Sequence, residues 1–290
     1  MTIAVVSPMH NEESNVDGLA KSLLAQTYPH VRWIAVDDGS NDATGSLLTE
    51  LVKAGALTLI NKQNDGGLIG GSAFTSWWRG VDVALEDPAV THVMKLDADV
   101  RLDPEYLRIV LSRWKDSTGV SGGTIRTSGM REQNFHVPGP VKIYSRRAVE
   151  LIRTLPRTIG FDIMDEVLLG DNGLEVVVHQ DVQFEMARAI GASEGRIHGR
   201  FRNGRGCRWT GYDPTYFAVR CLRYLVRKPY VVGSFAMAWG YLTAGVGPYS
   251  SRLRTRHAES QRRKLKRALL HPKRFLHEAY GVDREAVGGG

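Results

Sequence analysis

Residues 3–13 have the sequence IAVVSPMHNEE, a short apolar run that changes abruptly into polar residues. The run predicts a strand over residues 3–7, and the polar residues predict a loop after it. From Asn15 onward, apolar residues recur at helical spacing, which predicts a helix over residues 15–25. A strand, a polar loop and a helix in this order are typical of an α/β fold.

The same alternation continues along the first ~190 residues, so a mostly parallel sheet flanked by helices is predicted. Further strands are predicted over residues 31–36, 57–60, 90–96, 120–127, 141–144, 175–179 and 182–186. Further helical segments are predicted over residues 40–54, 72–85, 104–114, 146–155 and 165–169.

Composition narrows the class of protein. The chain has 290 residues, of which 42% are hydrophobic and 24% charged, a globular composition that excludes disordered and fibrous proteins. Its two cysteines, Cys207 and Cys221, form neither a disulfide framework nor a zinc ribbon and suit a reducing compartment. The start lacks the basic segment of a secretory signal, so we expect a cytoplasmic protein.

Charge is distributed unevenly along the chain. Residues 196–274 carry +17, whereas the remainder carries −10. Such an asymmetry indicates two parts with different partners, and the basic part is expected to face a polyanion. We therefore predict a catalytic domain over residues 1–195 and a basic, helical extension over residues 196–290.

The extension has the pattern of a membrane-associating segment. A helix over residues 216–228 is predicted to carry Arg220, Arg223 and Arg227 on one face. Its opposite face would hold apolar residues, namely Phe217, Cys221, Leu222, Tyr224 and Leu225. Residues 229–251 are uncharged and predict an interfacial or re-entrant helix, residues 252–274 add ten basic residues, and residues 286–290 are expected to be a flexible end. We expect the protein to lie on the anionic cytoplasmic face of a membrane.

Polar motifs follow three of the predicted strands. Pro8 to Glu12 follow the first strand, Asp37 to Ser40 the second, and Asp97 to Asp99 the fourth. Open α/β sheets bind ligands at the carboxyl ends of their strands, which makes these loops candidate site segments. Neither GxGxxG after the first strand nor a P-loop motif is present, which argues against nicotinamide or flavin enzymes and P-loop NTPases.

The acidic residues in these loops predict specific chemistry. If residues 97–99 are extended, Asp97 and Asp99 point the same way and can hold Mg²⁺ or Mn²⁺ together with phosphate oxygens. The alternative is two solvated loop aspartates. Asp37 or Asp38 could accept hydrogen bonds from a base or a ribose, or the segment could serve only as a turn with Ser40 or Asn41 capping a helix.

Taken in order, the motifs resemble those of family 2 glycosyltransferases. The likeness covers about residues 1–190, and it implies the GT-A fold, a nucleotide-sugar donor and inversion at the anomeric carbon. It further implies that Pro8, Asn11 and Glu12 line the nucleoside pocket and that Asp38, with Asp37, contacts the base or ribose. Asp97 and Asp99 would hold the metal ion and the donor diphosphate.

The resemblance extends to the acceptor side. Residues 139–144 resemble the segment that flanks sugar and acceptor, and residues 160–166 resemble the stretch that carries the general base. Asp165 is the first candidate, followed by Asp162 and Glu166; the alternative is a helix N-terminus enriched in acids. Residues 64–72 depart from the family pattern, although their glycines would let backbone N–H groups approach a diphosphate. His179 and His198 are not counted as ligands.

Three functions remain open at this point. The first is a metal-dependent inverting glycosyltransferase acting on a hydroxyl acceptor that is lipid-linked or a membrane-presented glycan. The second is a polyprenyl-phosphate glycosyl synthase, whose phosphate acceptor needs no general base. The third is a non-enzymatic membrane or nucleic-acid binder, although the tail contains no recognisable nucleic-acid module, so we expect no nucleic-acid partner. Residues 204–206, 211–214 and 228–229 resemble a membrane-docking subset of family 2.

Overall fold

A computed structural model describes residues 1–63, 71–126, 136–187, 196–226 and 229–275. Most of the glycine-rich stretch 64–72, Arg227 and the tail 286–290 therefore lie outside the described residues. By their contacts the residues form two compact units. The first comprises Met1–Thr158 and Asn172–Ala187, and the second comprises Ile159–Asp171 and Arg188–Gly290.

The first unit is built on one eight-stranded sheet with the order β3-β2-β1-β4-β7-β6-β8-β5. The strands are β1 (Thr2–Met9), β2 (Val31–Asp38), β3 (Thr58–Lys62), β4 (Val90–Leu96), β5 (Val100–Leu102), β6 (Thr118–Ile125), β7 (Val141–Ser145) and β8 (Glu175–Met186). The helices of this unit are α1 (Glu13–Leu24), α2 (Thr44–Lys53), α3 (Gly71–Glu86), α4 (Tyr106–Ser112) and α5 (Arg146–Ile152). The predicted α/β class is confirmed.

Parallel pairing is confined mainly to the first half of the sheet. β1 pairs in parallel with β2 and β4, and β2 with β3. β7 then pairs antiparallel with both β4 and β6, while β6 and β8 are parallel and β5 runs antiparallel to β8. The sheet is thus mixed, and its parallel half carries the three polar motifs.

Helices cover both faces of the parallel half. Ile3 and Val5 of β1 point into a core that also contains Val16 and Leu19 of α1. Val6 points to the opposite face, where the α3 backbone lies against it. Because successive side chains of a strand point to opposite faces, a strand buried on both sides is apolar throughout, as residues 3–6 are.

The second unit is helical. It contains α6 (Phe161–Asp171), α7 (Arg196–Trp209), α8 (Pro214–Leu225), α9 (Tyr230–Thr243) and α10 (Ser251–Leu270). Asp213 is the N-cap of helix α8, and its Oδ1 accepts hydrogen bonds from Thr215 N (3.0 Å) and Tyr216 N (3.2 Å). The Asp213 backbone N–H in turn donates to Gln261 Oε1 of α10 at 2.8 Å, so the start of α8 is tied to α10.

Helices α7 and α9 approach each other closely through glycines. A Cβ on Gly204 would collide with the carbonyl oxygen of Met237, and one on Gly240 would collide with the carbonyl oxygen of Phe201. The obstacle is backbone in both cases and cannot rotate away. No helix was predicted over residues 196–209, because their three glycines and five arginines lack apolar periodicity.

The structure corrects two local predictions. Helix α2 begins at Thr44 after Ala43, so neither Ser40 nor Asn41 is its N-cap. On α8, Arg220 does not share an exposed face with Arg223, since it is partly buried against two tyrosines, whereas the predicted inner residue Leu222 is 64% exposed. The helix is therefore rotated relative to the predicted amphipathic pattern.

Helix α9 leaves several of its bulky apolar side chains exposed to solvent, although Met237 and Tyr241 are buried. Its buried residues include Gly233, Ser234 and Gly240, which face the packed side. On the other side Phe235, Trp239 and Leu242 are 70%, 63% and 74% exposed. No helix among the described residues has the length and apolar content needed to cross a bilayer.

We predict opposite effects of adding a methyl group at two positions of α7. Gly204→Ala should lower the free energy of unfolding by about 1–3 kcal/mol, because the new Cβ meets the Met237 carbonyl. Gly199→Ala is the control, since nothing lies within 4 Å of the added atom, and it should stabilise the helix by up to about 1 kcal/mol. Thermal unfolding of both variants measures the difference; equal melting temperatures would contradict the close approach of α7 and α9.

Candidate active site

The loops after β1, β2 and β4 lie at the same end of the sheet, where these parallel strands have their carboxyl ends. The three strands are adjacent and parallel, and Met9 at the end of β1 is in register with Asp37 near the end of β2. Pro8, the residue before Met9, pairs with Val36 and is half-buried. Parallel strands present their carboxyl ends together, so the fold brings the first two predicted motifs side by side with the third.

Asn11 joins the first two loops. Its backbone is in the left-handed region, with φ of 55°, a conformation that asparagine tolerates better than most residues. Its N–H donates to Ser40 Oγ at 3.0 Å, and its Oδ1 accepts a hydrogen bond from Asn41 N at 2.9 Å. The side chain therefore holds the β1 and β2 loops together, a role that the sequence analysis did not predict.

Glu12 is part of a second set of contacts between these loops. Its N–H donates to Thr44 Oγ1 at 2.7 Å, and its Oε2 accepts a hydrogen bond from Asn15 Nδ2 at 2.8 Å. Arg101 donates to Asn15 Oδ1 at 3.2 Å. Burial lowers the pKa of Arg101, while the nearby carboxylates of Asp99 and Glu12 act in the opposite direction. Arg101 thus places a positive charge between the first and third motifs.

The adjacent aspartates of the second motif have different partners. Asp37 Oδ1 accepts a hydrogen bond from Ser40 N at 2.9 Å, which closes the turn after β2. Asp38 is 3% exposed, and its Oδ1 lies 3.0 Å from Lys62 Nζ. Lys62 is in register with Asp38 on β3, so the ion pair follows from strand pairing. Lys62 could not be predicted as a site residue, because the partner of a lysine at a strand end is unknown until the strand register is known.

The Asp-x-Asp motif forms a turn and not an extended segment, so the reason given for its two side chains pointing the same way was wrong. Val100 N donates to Asp97 O at 3.2 Å, which closes a turn between β4 and β5. The side chain of Asp97 is 37% exposed, and its Oδ1 accepts a hydrogen bond from Lys95 Nζ at 2.7 Å. Asp99 is buried, with a relative exposure of 9%.

These residues fit a divalent cation that is completed by other ligands. Carboxylate oxygens are the donors preferred by Mg²⁺ and also suit Mn²⁺. Within the described ranges no group of three or more His, Cys, Asp or Glu residues is arranged to hold a metal ion. Asp97 and Asp99 could therefore supply only part of a coordination shell, and phosphate oxygens and water would have to supply the rest.

The three candidate bases lie in the second unit, on α6. Asp165 is completely buried, and its Oδ1 accepts a hydrogen bond from Glu166 N at 2.7 Å. Asp162 is in the first turn of the helix and is partly exposed. Burial raises the pKa of Tyr249, and the charges of Asp162 and Asp165 raise it further. The structure thus separates Asp165 from the other two acids by its burial.

His179, His198 and the β7 segment are weaker candidates for a catalytic role. Burial lowers the pKa of His179, and the nearby Arg113 lowers it further. His198 is exposed on α7. Lys142 of β7, within the predicted acceptor segment, is fully buried.

Comparison with known proteins gives one family. The family model "Glycosyl transferase family 2" matches residues 4–169, more than half of the chain. An uncharacterized glycosyltransferase of Synechocystis sp. is 26% identical over 184 residues, which are 55% of this chain and 55% of that protein. The match thus spans about half the length of this relative.

Two solved structures share the fold. The mannosyltransferase PcManGT from Pyrobaculum calidifontis, in complex with GDP-Man and Mn²⁺, has a TM-score of 0.57 at 17% identity, covering 93% of this chain and 75% of that one. A fragment of S. aureus TarS in complex with UDP-GlcNAc has a TM-score of 0.52 at 17% identity, covering 96% and 79%. These likenesses confirm the GT-A fold. With the family match over residues 4–169, they show that the chain belongs to glycosyl transferase family 2.

Proposed function

We propose that this chain is a metal-dependent inverting glycosyltransferase that moves a sugar from a nucleotide-sugar donor to a hydroxyl acceptor. The observation that carries the proposal is the set of hydrogen bonds at the carboxyl ends of the parallel strands β1, β2 and β4. There Asn11 and Glu12, after β1, bond to residues that follow β2. The carboxyl ends of its strands are where an open α/β sheet binds a nucleotide. The solved relatives bound to GDP-Man and UDP-GlcNAc support a nucleotide-sugar as the donor class.

Donor binding is assigned to the first two loops. Pro8, Asn11 and Glu12 line the nucleoside pocket, and Asp38, with Asp37, accepts hydrogen bonds from base or ribose. Lys62 orients the Asp38 carboxylate through their ion pair. Each carboxylate has one oxygen engaged, Asp37 Oδ1 by Ser40 N and Asp38 Oδ1 by Lys62 Nζ, so these contacts prefer neither residue for direct contact with the ligand.

Asp97 and Asp99 are the residues that would hold Mg²⁺ or Mn²⁺. When bound, the cation supplies positive charge against the departing diphosphate. Lys95 fixes the position of the Asp97 carboxylate by donating to its Oδ1, and Arg101 places a positive charge near Asp99.

The transfer itself requires a proton acceptor. The acceptor hydroxyl oxygen forms a bond to the anomeric carbon while the bond from that carbon to the diphosphate oxygen breaks, and the hydroxyl proton passes to the Asp165 carboxylate. A single displacement inverts the anomeric configuration, so no covalent sugar–enzyme intermediate forms. The nucleoside diphosphate leaves.

The acceptor is proposed to be lipid-linked or a glycan presented at a membrane, with the enzyme peripheral on the cytoplasmic face. The exposed apolar face of α9, which includes Phe235, Trp239 and Leu242, suits insertion into an interface. The charge of +17 over residues 196–274 suits anionic lipids.

One observation favours a second candidate, a polyprenyl-phosphate glycosyl synthase. Asp165 is completely buried, whereas a general base must reach the proton that it removes. A phosphate acceptor is already ionised and attacks without a base. The two candidates therefore differ in the role of Asp165.

Asp99→Ala and Asp97→Ala should each abolish transfer and remove the stabilisation of the protein by nucleoside diphosphate with Mn²⁺. For the parent protein, ligand at 100 times its Kd should add about 2.7 kcal/mol. Asp103→Ala is the control, because Asp103 is exposed and paired with Arg126. A thermal-shift titration measures the effect, and an unchanged Mn²⁺-dependent shift in Asp99→Ala would refute the metal assignment.

Two substitutions separate the contributions of the Asn11 backbone and side chain to stability and nucleotide binding. Asn11→Ala should destabilise the protein by about 1–3 kcal/mol and weaken nucleotide binding, because alanine resists the left-handed conformation and loses the bond to Asn41 N. Asn11→Gly should recover part of the stability but not the affinity, since glycine restores only the backbone freedom. Equal nucleotide affinity in all three proteins would remove Asn11 from the donor site.

Asp165→Asn separates the two candidate functions. With a hydroxyl acceptor, turnover should fall by about 10²–10⁴, while donor binding is kept because the amide is nearly isosteric. Asp162→Asn and Glu166→Gln should cost much less. Initial rates of all three variants provide the measurement. Nearly full activity in Asp165→Asn would instead support the phosphate-acceptor enzyme, unless one of the other variants shows the large loss, which would identify a different base.

Replacing both Phe235 and Trp239 with serine should reduce sedimentation with vesicles containing phosphatidylglycerol by about tenfold or more, because two exposed apolar anchors are lost. Leu24→Ser is the control, since Leu24 is 64% exposed on α1 of the other unit. Sedimentation of the double variant equal to that of the parent would exclude α9 as the docking helix.

A further inference from the structure

Two arginines of the second unit lie beside the same tyrosine ring. The guanidinium carbon of Arg200, on α7, lies 3.8 Å from the ring centroid of Tyr224, and that of Arg220, on α8, lies 5.6 Å from it. Arg220 also donates from Nη1 to Tyr212 Oη at 2.9 Å and lies 5.5 Å from the centroid of that ring. We call these four residues the arginine–tyrosine cluster.

Several acidic groups of this unit pair with other arginines. Asp213 pairs with Arg262, and Asp171 pairs with Arg252 and Arg256. In the part of the chain that the structure describes, no carboxylate lies within ion-pair distance of Arg200 or Arg220. Two positive charges therefore share one ring without a counter-charge from these residues.

The titratable groups near Arg220 do not neutralise it either. Burial raises the pKa of Tyr212, so its hydroxyl stays neutral at physiological pH. Burial likewise raises the pKa of the Cys207 thiol to about 11, although Arg220 acts in the opposite direction. The side chains around the guanidinium thus offer dipoles and aromatic faces but no negative charge.

One donor of Arg220 is unused. Its Nε is buried and has no hydrogen-bond partner within the described residues. An unsatisfied buried donor on a charged group is costly, and native proteins satisfy most such groups with protein, water or ligand. Since Nη1 is occupied by Tyr212, the unused edge of the guanidinium is the one that contains Nε, an edge whose geometry suits two oxygens of an oxyanion.

We propose that the arginine–tyrosine cluster is a binding site for a phosphate group, with Arg220 as its central ligand and Arg200 as the second positive charge. A phosphate at neutral pH carries more than one negative charge and presents several acceptor oxygens, which matches two guanidinium groups better than a single carboxylate does. The phosphate can be a free ion or the headgroup of a lipid. The site lies wholly within the second unit and involves none of the donor-site residues, so it goes beyond the proposed function and stands or falls independently of it.

The first arm of the test uses inorganic phosphate. Thermal unfolding of the full chain is followed in increasing potassium phosphate, with potassium chloride at matched ionic strength as the reference. The parent protein should be stabilised by phosphate over chloride. Arg220→Gln should weaken this apparent affinity by about tenfold or more, since it removes a charge-assisted contact. Arg223→Gln is the matched control, because it removes the same charge from an exposed position of α8 and should keep the effect.

The second arm uses vesicles of phosphatidylcholine with and without phosphatidic acid, whose headgroup is a phosphate monoester. If the ligand is a lipid headgroup, Arg220→Gln should reduce sedimentation with phosphatidic acid vesicles far more than Arg223→Gln does. Equal reductions in vesicle binding, together with a phosphate stabilisation in the first arm that Arg220→Gln weakens and Arg223→Gln keeps, would identify free phosphate as the source. Should Arg220→Gln fail to fold, Arg200→Gln replaces it, because Arg200 lies beside the same ring and, unlike Arg220, shows no side-chain hydrogen bond to another described residue.

Two results would overturn the proposal. One is the absence of any phosphate stabilisation over chloride together with equal vesicle binding of Arg220→Gln and Arg223→Gln. The other is phosphate stabilisation that Arg220→Gln and Arg200→Gln both retain in full, which would place the phosphate elsewhere. Nucleotide binding by these variants should equal that of the parent, which distinguishes failure of this site from failure of the donor site.

Discussion

Parallel pairing of β1 with β2 and β4 is the constraint on which the candidate donor site depends. It brings three loops that are distant in sequence to the same end of the parallel strands, and the loop after β1 is bonded to the segment after β2 through Asn11, Glu12 and Thr44. Because loop backbone and side chains already contact each other, little conformational entropy remains to be lost when a ligand binds. The buried ion pair of Asp38 with Lys62 adds to this order from the neighbouring strand.

Features set by local sequence were predictable. The apolar run of β4 gave its bounds, Val90–Leu96, and the polar residues after the strands marked where β1, β2 and β4 end. Features set by tertiary contacts were not. The partner of Asp38 depends on strand register, and the turn at Asp97 depends on its connection to β5, a strand of three residues that is too short to show a pattern.

In the second unit, too, tertiary contacts determine features that the sequence pattern does not predict. Hydrophobic periodicity assigns a face to each side chain by assuming that arginine is exposed and leucine is buried. On α8 the aromatic surroundings of Arg220 reverse that assumption, and Leu222 takes the outer position. On α7 the glycines that permit close approach to α9 are the residues that hide the helix from a pattern search. Packing through backbone leaves no apolar signature in the sequence.

Because α7 and α9 approach closely, the two sides of α9 differ in the substitutions that they tolerate. The inner side is limited to small residues at Gly233 and Gly240, where the neighbouring helix or chain leaves no space. The outer side contributes little to folding, because Phe235, Trp239 and Leu242 bury little of their surface within this chain. The outer residues can therefore change to suit a binding surface with almost no loss of folding stability, whereas the inner glycines cannot be replaced by larger residues without a clash.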